Sequence, residues 1–309
     1  MRVGAIFPGQ GSQAVGMGGE IVARFPAVAE LFATAQNVLG YDLLDVIAGP
    51  EERLRETQFS QPAIFVTNYA LAIAAGDSLP IVASAGHSFA EICSLTLAGA
   101  FDFVTGLELV RERGLAMQAA AEAAPGAMSA VLALDPALLR EAVAQARAVG
   151  RVQLANFNAP SQIVISGDRD AVAKAGELAL AAGAKRVVPL PVSGAWHSEL
   201  MLPAQARFKP FVERAPIAMP RFTVISNVDA KPYADVATIK ANLIRSVTDE
   251  VLWHAAAERL VAENLDLVVE FGGTAVLAPM FKRLAGAPPA QHVGDEHGID
   301  KLSAAISVA

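Results

Sequence analysis

Residues 80–97 read Pro-Ile-Val-Ala-Ser-Ala-Gly-His-Ser-Phe-Ala-Glu-Ile-Cys-Ser-Leu-Thr-Leu, an apolar run that breaks at Gly86-His87-Ser88 and resumes with a helical texture. A buried strand that delivers a serine into a sharp turn, followed at once by a helix, is the layout of a nucleophile elbow. The turn demands small neighbours, because strand and helix pass close together. The hydroxyl then stands exposed near the positive end of the new helix. On this reading Ser88 is a nucleophile that handles acyl groups. The pattern departs from G-x-S-x-G at its last position, where Ala90 adds a methyl group. Taken alone, an ordinary strand-to-helix turn would look the same.

A serine needs a base, and the chain offers five histidines. His87 adjoins Ser88 and points elsewhere, His254 falls on an apparent surface helix, and His292 and His297 fall in a polar C-terminal stretch. His197, within Ser193-Gly-Ala-Trp-His-Ser-Glu-Leu-Met201, stands at a loop-to-helix junction from which an imidazole can reach a cleft. A capping or packed histidine is the competing reading. The oxyanion formed on attack needs donors. The Phe89 N–H is available at the helix start, and the Gly9-Gln10-Gly11 loop ends the first strand, with Gln10 and Gln13 adding side-chain donors. Arg113 lies inside an otherwise apolar helix, and Gly114 beside it would permit close approach. Facing a pocket, it would grip a carboxylate through two parallel hydrogen bonds. Facing solvent it would be an ordinary helix arginine, which suits Arg111 better, and the pattern leaves Arg113 open.

These side chains need a scaffold. Residues 2–7 form a short buried strand that runs into a glycine-rich loop, and a helix is expected over 19–38. Helices follow at 50–57 and at 61–76, the second starting after Gln61-Pro62, then the elbow strand and its helix, then a long helix from Phe103 to Ala124 that stops at Pro125-Gly126. The texture then changes to strand 127–134, helix 136–148, strands 151–156 and 162–166, helix 169–182 and strand 185–190. That β-α-β-β-α-β order is a ferredoxin-like unit inserted into the first texture. Strand 221–226, helices 236–245 and 251–264, strand 266–270, a turn at Gly272-Gly273 and a helix near 275–284 complete the chain. The fold class is α/β: an α/β-hydrolase-like core with a mostly parallel sheet (1–125 and 193–309) and an inserted ferredoxin-like subdomain (126–192).

Composition supports a large buried core: of 309 residues 53% are hydrophobic and 18% charged, which excludes a disordered chain. The net charge of −7 gives no general attraction to nucleic acid. The single cysteine, Cys93, rules out an internal disulfide and a cysteine-rich metal site, and it reads as packing. No stretch approaches the roughly 18 uninterrupted apolar residues of a membrane span. No signal-peptide layout precedes Pro8-Gly9, so a cytoplasmic protein is expected, and nothing demands more than a monomer.

Several segments together resemble one family, the bacterial malonyl-CoA:acyl carrier protein transacylases and the related acyltransferase domains of polyketide synthases. Phe7-Pro-Gly-Gln-Gly-Ser-Gln13 resembles the family's N-terminal signature, Ala85-Gly-His-Ser-Phe-Ala-Glu91 its elbow, and Arg113-Gly-Leu-Ala-Met-Gln118 its arginine motif. Asn156 to Gly167 is similar to its asparagine segment and Gly194-Ala-Trp-His-Ser198 to its histidine motif, while Ser226-Asn-Val and Gly272 to Arg283 also fit. The resemblance implies that Ser88 is acylated, that His197 is base and then acid, and that Gln10 and the Phe89 N–H form the oxyanion hole. It implies that Arg113 holds the free malonate carboxylate, and that Asn156 and Asn158 lie near the histidine and help order the site. The Leu252 carbonyl would orient His197. Malonyl-CoA and the phosphopantetheinyl acyl carrier protein would be substrates, with no cofactor. Phe89 replaces a commoner leucine-like residue, and Trp196 stands where phenylalanine is frequent; both would shape the acyl pocket. Gly-Ala-Trp is closer to the unbranched malonyl pattern, with a substituted malonyl group as the alternative. A thioesterase or esterase using the same serine, and a non-catalytic carrier-binding module, are the competing functions. An acidic carrier calls for a basic patch, for which Lys185-Arg186 and Lys282-Arg283 are candidates beside the reading of plain solvated charges.

Overall fold

The computed structural model describes residues 1–76 and 79–307. Its strands are β1 (Val3–Phe7), β2 (Ile81–Gly86), β3 (Ala127–Leu132), β4 (Val152–Ala159), β5 (Gln162–Gly167), β6 (Arg186–Pro189), β7 (Thr223–Ile225), β8 (Leu267–Phe271) and β9 (Ala290–Val293). They form two sheets, ordered β7-β2-β1-β8-β9 and β4-β5-β3-β6. Every pairing in the first is parallel and every pairing in the second antiparallel. Strand β1 lies at the centre of the first sheet and all five of its residues are buried, as the unbroken Val-Gly-Ala-Ile-Phe run requires of a strand covered on both faces.

The parallel register decides where chemistry can happen. Phe7 pairs with Gly86 and Ala85 with Ile225. The loops after β1, β2 and β7 therefore leave the sheet at one edge, the carboxyl end of the strands, where open α/β sheets gather ligands. That edge carries Gln10, Ser88 and Asn227. Close to it, a Cβ on Gly86 would stand 2.0 Å from the Ala90 carbonyl oxygen, so only glycine lets the elbow helix fold back onto its strand.

The second sheet has the ferredoxin-like strand order, with helices Pro136–Ala146 and Arg169–Ala181 packed on one side of it. The expected β-α-β-β-α-β order is present with ends shifted by a few residues. Elsewhere the helices differ from the sequence pattern. The single helix expected over 19–38 is two, Gly19–Arg24 and Pro26–Leu39, because Phe25 is extended and Pro26 opens the second. The helix expected after Pro62 already begins at Thr57 and runs to Ala74, with Pro62 inside it. Proline leaves the Gln58 carbonyl without its helical N–H, but Ser60 to Asn68 are all buried, and packing outweighs that loss. The polar C-terminal stretch is instead β9 and the helix Glu296–Ser307, with His292 in the strand and hydrogen-bonded to the Gly272 carbonyl at 2.8 Å. Helix Leu43–Ala48 has no counterpart in the pattern reading, and Leu202–Arg214 is the helix that the junction at His197 implied without bounds.

Candidate active site

Ser88 stands at φ 57°, the left-handed region that side chains rarely adopt. Its Oγ lies 2.8 Å from His197 Nε2, the contact through which a neutral imidazole protonated on Nδ1 accepts the hydroxyl proton. His197 also stands at φ 57° and is 3% exposed. Its loop is clamped from the second sheet: Gln153 of β4 donates to the carbonyls of His197 and Thr248, both at 3.1 Å, and accepts the Glu199 N–H. The backbone groups that favour protonation of the ring are the carbonyls of Ser246 and Asp249, while Nδ1 itself closes no full hydrogen bond. Among the described residues the Leu252 carbonyl makes no hydrogen bond to His197; it accepts the Ala256 N–H at 3.0 Å at the start of a helix, and the Leu252 N–H donates to the Asn227 carbonyl at 2.8 Å.

Arg113 is 1% exposed and turned inward from the helix Phe103–Ala123, which settles its orientation. Its Nη1 donates to Gln61 Oε1 at 3.0 Å, its Nη2 lies 3.5 Å from Ser88 Oγ, and its Nε has no partner. Gly114 admits the neighbouring chain, since a Cβ there would stand 2.9 Å from the Thr57 carbonyl. Burial pulls the Arg113 pKa down to about 9 and the Glu91 carboxylate opposes that pull, so the guanidinium is a cation at neutral pH.

Burial holds the His197 pKa down at about 3, and the Arg113 and His87 charges press in the same direction. The base is therefore neutral, and competent to take a proton, throughout the ordinary pH range. The rate of Ser88 acylation at low acyl-thioester concentration is expected to stay level as pH falls from about 8 to about 5 and to drop only deeper into acid. Rapid-quench acylation across that range measures it. A break near pH 6.5, where an ordinary histidine titrates, would contradict the burial account.

Gln10 and Phe89, whose N–H groups are the expected oxyanion donors, both line one cavity with Ser88, and among the described residues neither N–H meets a protein acceptor. The Gln10 side chain is committed to Thr57 Oγ1 at 3.2 Å, which leaves its main chain as the free donor. The cavity measures about 600 Å³ and lies between the two sheets. Its apolar wall includes Trp196, Met128, Met117 and Val164, and the Trp196 ring takes the space a Cβ on Gly194 would need, 2.5 Å from it. Asn156 and Asn158 both line the cavity, but Asn158 Oδ1 bonds His87 Nε2 at 2.9 Å and so orders His87 rather than His197. No short motif points to Gln61, Gln153 or Tyr233; they act through side chains that meet the site only after folding.

The chain is similar to known proteins in sequence and in structure. Residues 5–293 match the family model described as acyl transferase domain. The malonyl CoA-acyl carrier protein transacylase of Salmonella typhimurium is 37% identical over 306 residues, covering 98% of each chain. Among solved structures, the acyl carrier protein S-malonyltransferase of Vibrio cholerae superposes with a TM-score of 0.92 at 37% identity, covering 98% of this chain and all of that one. A malonyl-transacylase solved in complex with a type II polyketide acyl-carrier protein superposes with a TM-score of 0.93 at 35% identity, covering 99% of this chain and 100% of that chain.

Proposed function

The chain belongs to the acyl transferase domain family, and from that premise we propose that it moves a malonyl group from malonyl-CoA to the phosphopantetheine thiol of acyl carrier protein through a malonyl ester on Ser88. One observation carries the reading: the Ser88 oxygen is met by His197 Nε2 at 2.8 Å and by the Arg113 guanidinium at 3.5 Å. A nucleophile, its base and a buried cation thus converge where an acyl group with its own carboxylate would sit.

In the first half-reaction His197 takes the Ser88 proton as the oxygen attacks the thioester carbonyl. The oxyanion rests on the N–H groups of Gln10 and Phe89. As the tetrahedral intermediate collapses, His197 returns the proton to the departing CoA sulfur. In the second, His197 takes a proton from the carrier thiol, the sulfur attacks the malonyl ester, and Ser88 leaves with that proton. The kinetics are ping-pong. Arg113 holds the malonate carboxylate in both halves, and Trp196 bounds the pocket against branching at the carbon between the two carbonyls. The reaction needs no resident cofactor, since nucleophile, base and clamp are all side chains.

The ferredoxin-like unit, 126–192, is read as a subdomain that walls the cleft of the core, 1–125 and 193–309. Lys185, Arg186, Lys282 and Arg283 are exposed, and among the described residues none pairs with a carboxylate, which supports docking of an acidic carrier. The chain is read as a cytoplasmic monomer. No helix among the described residues is long and apolar enough to cross a membrane.

Supplied with malonyl-CoA and carrier protein together, the enzyme is expected to yield malonyl-carrier as its main product, read by intact mass. Free malonate as the main product would show a hydrolase instead.

A further inference from the structure

The elbow holds Ser88 at φ 57°, a backbone conformation that persists only where its surroundings fix it. What fixes it is a buried polar assembly on the far side of the turn. Asn227, at the end of β7, is 1% exposed. Its Oδ1 accepts the Ser88 N–H at 3.1 Å, and its Nδ2 donates to the Gly86 carbonyl at 2.8 Å and to the Ser88 carbonyl at 3.2 Å. One side-chain amide thus grips the nucleophile's main chain on both sides of its α-carbon.

The amide is itself locked. Glu91, three residues past Ser88 and 1% exposed, accepts both the main-chain and the side-chain N–H of Asn227 on Oε2, and accepts the Tyr233 hydroxyl on Oε1. The Gly86 and Ser88 carbonyls can only accept and the Ser88 N–H can only donate, so Asn227 must present Nδ2 to the carbonyls and Oδ1 to the N–H, and Glu91 on the same Nδ2 holds it there. The amide has no freedom to flip.

We propose that Asn227, oriented by the buried Glu91–Tyr233 pair, is the positioning residue that keeps Ser88 in its attacking conformation, whatever acyl group is being moved. The inference rests on Ser88 being the acylated residue. It assigns Asn227 no contact with substrate, so its loss acts on the rate of acylation and not on the choice of acyl group.

The closing experiment measures acylation of parent and variants with malonyl-CoA and acetyl-CoA. Asn227→Ala is expected to slow acylation about 10²-fold for both, a size typical of a misplaced reacting group, with the malonyl-to-acetyl ratio and KM changed by no more than about threefold. Asn227→Asp keeps the shape and still accepts the Ser88 N–H, but cannot donate to Glu91 until it is protonated. The titratable groups around it are Glu91, which is bonded to it, and Tyr233, Asp229 and Arg113, which act on Glu91. The adjacent Glu91 carboxylate raises the pKa of an added acid. Its rate relative to the parent should therefore recover as pH falls, a response no generic loss of packing gives. Tyr233→Phe, which leaves every Asn227 contact in place but frees Glu91, should lose less than Asn227→Ala, and it keeps the question open to measurement if the Asn227 variants fold poorly. Asn227→Ala acylating at the parental rate, or a shifted malonyl-to-acetyl ratio, overturns the inference. Failure of the parent itself to form an adduct on Ser88 would instead remove the premise, and the two failures are told apart by the parent's own intact mass.

Discussion

Ser88→Ala leaves no malonyl adduct detectable by intact mass, and transfer to carrier falls by about 10⁵-fold or more, the scale at which a serine–histidine unit loses its function when one member is removed. The structure predicts more than a loss. Ser88 and His197 share one hydrogen bond of 2.8 Å, and the Ser246 and Asp249 carbonyls that favour the ring's protonation take no part in the chemical step, so the imidazole acts through Ser88. The two residues should behave as a unit. His197→Ala is expected to cost nearly as much as Ser88→Ala, and the double variant no more than either alone, because each single change already removes the shared step. What activity remains would come from Gln10, Phe89 and Arg113 holding the thioester in place. A parental amount of adduct in Ser88→Ala would exclude this serine, and additive losses in the double variant would separate the pair.

That serine and histidine could be picked out of the sequence for different reasons. Ser88 is announced locally, because strand, glycine and helix must occur in order for an elbow to form, and Gly86 is required by a carbonyl only 2.0 Å from where its Cβ would be. His197 emerged by eliminating four other histidines, and its surroundings were invisible: Gln153, which clamps its loop, comes from the other sheet. The ferredoxin-like order was legible because strands and helices alternate with clear period changes. The helix expected over 61–76 was legible too, but its start at Thr57 was not, since local propensity disfavours the run through Pro62 that long-range packing imposes. The partner of the Leu252 carbonyl was not legible either: its position in the chain matches a motif, but whether it meets His197 depends on how the turn before the helix lies against the ring, and here the carbonyl bonds the Ala256 N–H and not the imidazole. Glu91 and Asn227 lie in segments that resemble family motifs, yet nothing in their spacing, 136 residues apart, says that they meet.

Arg113 was the residue the sequence left open, and it decides what is transferred. Arg113→Ala is expected to reduce malonyl transfer by roughly 10²–10⁴-fold, the rate equivalent of the about 3–5 kcal/mol lost when one partner of a buried charge pair is removed. Acetyl transfer should change by less than about tenfold, since a methyl group has no charge to pair with and only loses a neighbour of its pocket. The geometry explains the asymmetry. In the free protein Arg113 spends Nη1 on the neutral Gln61 amide, leaves Nε unpartnered and holds Nη2 near the nucleophile. Such a cation is incompletely satisfied, and burial works against its charge, pulling its pKa to about 9. The nearby Glu91 carboxylate helps it stay charged but makes no hydrogen bond to it, being committed to Asn227 and Tyr233. A carboxylate on the acyl group supplies the missing partner and meets a planar fork fixed in place by Gln61. Arg113→Lys keeps the charge but loses the fork, and is expected to fall between parent and alanine for malonyl while leaving acetyl unaffected. The readout is the ratio of malonyl to acetyl adduct formed from an equimolar mixture of the two CoA thioesters. Equal losses for both acyl groups would mean that Arg113 supports the site's shape and does not read the carboxylate.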